Sequence, residues 1–162
     1  MASTLTVDNI VGATTSANVH IPGTVVQVLQ VENTVPVIGT SSTSFTATGH
    51  IISITPKFSS SKLLVSITGG QLTYQSSGDT IRIRLYRKIG TGSYSDQTGD
   101  YQRTNMSSSY GLSHSFSYLD SPSTSSAVYY QPYIRSLGGN TVYYDYNSID
   151  TNAMITVMEI AQ

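Results

Sequence analysis

Apolar and polar residues alternate with a period of two along much of this chain. From Thr80 to Lys88, Ile81, Ile83 and Leu85 alternate with Arg82, Arg84 and Tyr86, which predicts a strand with one buried and one polar face. Leu63 to Thr68 is apolar on both faces, as expected nearer the middle of a packed sheet. The whole stretch from Lys62 to Lys88 reads as two or three strands around Gly-rich turns, a central pair on which the rest packs. Thr24 to Val31 is also apolar on both faces and predicts a strand buried on both sides or at a subunit contact.

The remaining elements follow from breaks in that pattern. Thr34 to Thr43, with Pro36 and Gly39, predicts a loop, and strands are expected over Phe45 to Gly49 and Ile51 to Thr55, ended by Pro56. Ile89 to Asp100 holds three glycines and predicts a long exposed hairpin loop. Tyr110 to Tyr118 puts Tyr110, Leu112, His114, Phe116 and Tyr118 on one face, with Gly111 and three serines on the other. Pro132 suggests that Ala127 to Arg135 is an edge strand or bulged, and Gly138-Gly139-Asn140 predicts a hairpin into Thr141 to Tyr146. Ala153 to Ile160 is a closing strand. Eight to ten short strands without a 3.6-residue period predict an all-β, antiparallel β-sandwich, most plausibly a jelly roll, over residues 24–162. Residues 1–23 read as an extended N-terminal arm, whose Leu5, Val7, Ile10 and Val11 are too few to form a core alone.

Composition sharpens this picture. Charged residues make up 10% of the 162, far below the usual share, and polarity comes from 26 Ser and 21 Thr. Such a surface has little charge repulsion and suits packing against copies of itself. A net charge of -1 argues against nucleic acid as a partner. The absence of Cys removes thiolate chemistry, and no apolar run is long enough to predict membrane insertion or Sec export; release by lysis is the expected route out of a cell.

Chemistry is thin. His20, His50 and His114 do not stand at metal-ligand spacing from one another, the carboxylates are scattered, and there is no GxSxG elbow. The expectation is no catalytic residue, no metal and no cofactor. Two clusters remain. Arg82, Arg84, Arg87 and Lys88 could meet a carboxylate or an anionic glycan, with Tyr94 on the loop beyond, although a solvated or inter-subunit strand face is the plainer reading. Tyr129, Tyr130, Tyr133, Tyr143, Tyr144 and Tyr146 would lie on adjacent strands, where Tyr serves a core, an interface or a sugar-stacking site.

The segments STLTVDNIVGAT, HIPGTVVQVLQ, SFTATGHIISITPKFSSSKLLVSITGG and ITVMEIAQ, in that order, resemble small virion structural proteins of tailed bacteriophages of the marine and cyanobacterial kind. The domain is similar to the trimeric jelly roll of the tumour-necrosis-factor and C1q (TNF/C1q) type. The resemblance implies a non-enzymatic homotrimer on the virion surface, a capsid decoration, knob or fibre component made in the host cytoplasm. Its arm would hold a capsid or tail protein, with Leu5, Val7, Ile10 and Val11 as anchors. Near the threefold axis it would place the Tyr-rich strands, with Tyr129, Tyr130, Tyr143 and Tyr144, and the Met154/Met158 face. The alternative is a tail-fibre-type receptor- or glycan-binding module, with Arg82, Arg84 and Tyr94 as ligand contacts. No coiled-coil or collagen-like shaft precedes the domain, which argues against a long fibre.

Overall fold

The structure, a computed structural model, describes residues 21–34, 38–74, 79–100, 102–105, 111–146 and 152–162. They form twelve antiparallel strands and, among these residues, no helix: β1 (Val25–Glu32), β2 (Ile38–Thr40), β3 (Thr46–Ala47), β4 (Ile52–Ile54), β5 (Lys62–Tyr74), β6 (Thr80–Ile89), β7 (Ser95–Asp96), β8 (Gln102–Asn105), β9 (Leu112–Asp120), β10 (Val128–Ser136), β11 (Val142–Tyr144) and β12 (Met154–Ile160). The first sheet runs β1-β12-β5-β11-β2, with β9 also paired to β5. The second runs β3-β10-β6-β7, with β4 on β10 and β8 on β6. The chain is thus the all-β, jelly-roll-like sandwich that the alternation predicts.

Alternation decides what each strand contributes. Ile81, Ile83 and Leu85 of β6 and Val128, Tyr130 and Ile134 of β10 face Leu63, Val65 and Ile67 of β5 and Ile155 and Val157 of β12, all buried in one core. The core is closed by carboxylates that accept several hydrogen bonds each. Asp120 accepts from Arg87 and from the Tyr130 hydroxyl, joining β9 of one sheet to β6 and β10 of the other. Asp79 accepts from the Ser136 hydroxyl and from the amides of Gly138 and Asn140, which fastens the loop after β10 to the start of β6. Those bonds outweigh the cost of burial and hold the Asp79 carboxyl below its ordinary pKa.

Several expectations change. β5 and β6 are not a pair: each lies in a different sheet, and they face each other across the core. Likewise β10 and β11 form no hairpin, because Gly138 to Thr141 carries the chain from one sheet to the other. β1 is not buried on both sides but is an edge strand of largely exposed residues. Pro132, read as an edge or bulge signal, stands in a central strand paired with both neighbours. Its missing N–H is tolerated because it sits opposite the break between β3 and β4, where its carbonyl accepts from the Thr48 amide and hydroxyl. Within the predicted loop at 34–43, β2 adds a short strand to β11.

Candidate functional site

The outer face of the first sheet carries apolar side chains that register brings together. Residues directly opposite in an antiparallel sheet share a face. Val28 of β1 lies opposite Met158 of β12, Met158 opposite Leu64 of β5, and Leu64 opposite Leu119 of β9. These four make one apolar row across four strands, with Val28 52% and Leu119 50% exposed. Val25, opposite Ile160, extends it at the end of the sheet, and the paired Lys62 stem flanks it. The next row is polar: Gln30, Thr156, Ser66 and Ser117, with Gln30 donating to Thr156 and the two serine hydroxyls 2.8 Å apart.

The chain enters beside this row. Ile21-Pro22-Gly23-Thr24 forms a β-turn, with the Thr24 amide donating to the Ile21 carbonyl and Gly23 at φ +85°. Gly23 donates to Ala161, just beyond β12, and Ile21, at the start of the turn, is 49% exposed.

The outer face of the second sheet is built differently. Arg82, Arg84, Tyr86 and Lys88 of β6 stand beside Tyr129, Tyr133 and Arg135 of β10, and the segment after β6 folds back over them through β7. Arg84 donates to Asp96 (2.6 Å) and Asp100 (2.8 Å), Arg82 pairs with Asp100, and Arg135 stands 3.7 Å from it. Asp96 Oδ1 also accepts from the amides of Thr98 and Gly99. Phe45 lies under the Arg84 and Arg135 guanidinium groups, at 4.3 and 4.9 Å from its ring centre. Tyr86 stacks on Tyr133 at 3.9 Å, Tyr94 tilts onto Tyr133 at 6.0 Å, and the Lys88 ammonium sits over the rings of Tyr129 and Tyr94. Burial, then the neighbouring phenols, raise the Tyr94 pKa above its ordinary value.

The residues singled out in the sequence divide among these places. Arg82 and Arg84 pair with the chain's own Asp96 and Asp100, and Tyr94 lies against Tyr133 and Lys88 on the same face. Ile89 to Asp100 is the exposed hairpin segment expected, returning along β6 through β7 and tied to Arg84 by Asp96 and Asp100. Tyr130 and Tyr144 are fully buried in the protomer core and have no surface to offer a second copy, which corrects their reading as interface residues. Tyr129 belongs to the second sheet's outer face, whereas Tyr143 stacks near Tyr146 at the β2 corner of the first. The Tyr-rich segments therefore do not lie on adjacent strands. Met158 stands in the apolar row, and Met154 lies beyond the hydroxyl row, opposite Glu32 and Thr68. Leu5, Val7, Ile10 and Val11 lie outside the described residues. Leu64 and Leu119 were not singled out in the sequence, whereas Val28 falls within Thr24 to Val31, expected buried or at a subunit contact. The unbroken run Leu63-Leu64-Val65 was the signal for Leu64, because one of the three had to face outwards.

No group of three or more His, Asp or Glu side chains that could hold a metal ion occurs among the described residues. A surface cleft of about 560 Å³ is lined by Lys57, Phe58, Ser59, Ser60 and Ser125, with no carboxylate or imidazole to act as a base. No helix among the described residues is long and apolar enough to cross a membrane.

No protein-family model and no curated protein sequence matches the chain. Among solved structures it is similar to that of infectious bursal disease virus, Gx strain, at 12% identity and a TM-score of 0.43. It is likewise similar to the VP2 subviral particle of infectious bursal disease virus, at 11% identity and a TM-score of 0.43. Each match covers 83% of this chain, which spans 32% of the length of either protein.

Proposed function

We propose that this chain is a non-enzymatic structural protein of a virion surface, assembling as a homotrimer through the outer face of its first sheet. The observation that carries this reading is the outward apolar row Val28, Met158, Leu64 and Leu119, its two ends exposed and its middle half-buried, on a chain with little charge to keep copies apart. The order of the four segments that resemble phage virion proteins supports the particle. A capsid decoration, knob or fibre component fits this reading, with residues 1–23 holding a capsid or tail protein through Leu5, Val7, Ile10 and Val11. The protein is made in the host cytoplasm and leaves by lysis. Sedimentation of the purified chain tests the assembly: a trimer is expected, and a monomer at tens of micromolar overturns it. Deleting residues 2–20 is expected to leave the trimer intact and abolish incorporation into particles; normal incorporation rules out the anchoring role.

A second reading, attachment to a host surface glycan, is favoured by the half-buried rings of Tyr94, Tyr129 and Tyr133 around Lys88. Binding on a glycan array that is lost in Tyr94→Ala supports it. An array without signal removes it.

A further inference from the structure

One buried polar cluster is used by neither reading. His114 of β9 lies opposite Gly69, is 2% exposed, and neither of its ring nitrogens has a hydrogen-bond partner among the described residues. Its ring meets the edge of Tyr144 of β11 at 5.3 Å. The Tyr144 hydroxyl is 2.9 Å from Nδ1 of His50, which comes from the connection between β3 and β4 and is also buried. Asp145, fully buried at φ +54°, follows Tyr144; its Oδ2 accepts from Asn33 Nδ2 and the Ala153 amide, while Oδ1 has no partner among the described residues.

The backbone around this cluster fits tightly. Gly69 and Gly70 sit at φ +77° and +69°, at a register shift between β5 and β9. A side chain at Gly70 would meet Asp145 Oδ1 at 2.8 Å and the Ala153 side chain at 2.9 Å. β5 therefore brings no side chain at Gly69, and among the described residues the charged or titratable groups that act on His114 are His50, Tyr144 and Asp145.

We propose that this cluster is an acid-sensitive latch: charging His114 in mildly acidic solution releases the edge strand β9 from the sandwich. An imidazolium there has to give up its hydration for a site whose described residues supply no hydrogen-bond acceptor to its ring. β9 is the strand that yields, because among the described residues its ladder runs to β5 alone. Burial lowers the His114 pKa from 6.5 to about 4, more than the Asp145 carboxylate raises it, and burial lowers that of His50 as well.

The sign follows by linkage. The unfolded chain takes up the proton near pH 6.5 and the folded one near 4, so stability is full above 6.5 and falls as pH drops towards 4. β9 also carries Leu119 of the exposed row, so opening would loosen the trimer, a consequence that rests on the proposed assembly. The latch itself belongs to the protomer and is tested without it.

The test is a proton NMR titration of the imidazoles in the intact chain, together with urea unfolding at pH 7 and pH 5 for wild type and His114→Leu. His114 is expected to stay neutral to below pH 5. The wild-type unfolding constant is expected to rise roughly 20-fold more than that of His114→Leu. Titration of His114 at or above 6.5 overturns the proposal, and so does equal pH dependence of the two proteins. The titration decides by itself if His114→Leu does not fold.

Discussion

On the outer face of the second sheet Arg82, Arg84 and Arg135 converge on Asp100, the Lys88 ammonium lies over two phenol rings, and the chain's own segment after β6 folds across them. On the outer face of the first sheet Val28, Met158, Leu64 and Leu119 stand in a row, with the outer two half exposed. Both strand sets began from the same alternation. The difference teaches that a charged strand face in a sequence can be satisfied internally, whereas an apolar outward row points to something outside the protomer. The charged face was the more conspicuous feature in the sequence, and the apolar row is the better candidate for function.

The largest expected effect tests that contrast directly. Met158→Arg puts a charge in the middle of the row and should weaken self-association roughly 100-fold, about 3 kcal/mol, by sedimentation equilibrium. The thermal midpoint of the isolated protomer should stay near wild type, because Met158 faces away from the core. A trimer that survives the change moves the contact elsewhere.

Tyr133→Ala removes the ring stacked between Tyr86 and Tyr94 and should cost about 2 kcal/mol in urea unfolding without altering the assembly state. If it dissociates the trimer, the second face is an interface too, and the contrast between the faces fails. Arg84→Gln should cost about 1 kcal/mol after allowance for solvent screening, since this half-exposed group holds Asp96 and Asp100. Its more specific readout is faster proteolysis between Gly90 and Asp100. The smallest effect is that of salt. Raising it should narrow the gap between wild type and Arg84→Gln by a few tenths of a kcal/mol and leave the Met158→Arg comparison unchanged. A salt response of the opposite pattern would reverse the roles assigned to the two faces.

Much of the fold was legible because its cause is local. A period of two in Thr80 to Lys88, or in Ala153 to Ile160, arises from one pleat and one apolar environment, so strand identity and inward side chains could be read without any partner. The site was less legible. Arg82 and Arg84 read as a solvated or inter-subunit strand face, with an anion site as the alternative, because nothing in their own strand reveals that Asp96 and Asp100, up to 18 residues later, fold back to meet them. Tyr130 and Tyr144 looked like interface residues because a phenol suits a core and a surface alike. Which one it joins depends on whether its hydroxyl finds a partner, here Asp120 and His50.

By itself, then, the sequence determined a helix-poor chain of short alternating strands, weakly charged and rich in hydroxyls. Tertiary structure alone decided which sheet each strand joined, putting β5 opposite β6 rather than beside it and sending β10 and β11 to different layers. It also lined up Val28, Met158, Leu64 and Leu119 from strands as much as 130 residues apart. The physical reason is that side-chain alternation is a property of one strand, while register and layer are settled between strands, by long-range ladders and a shared core.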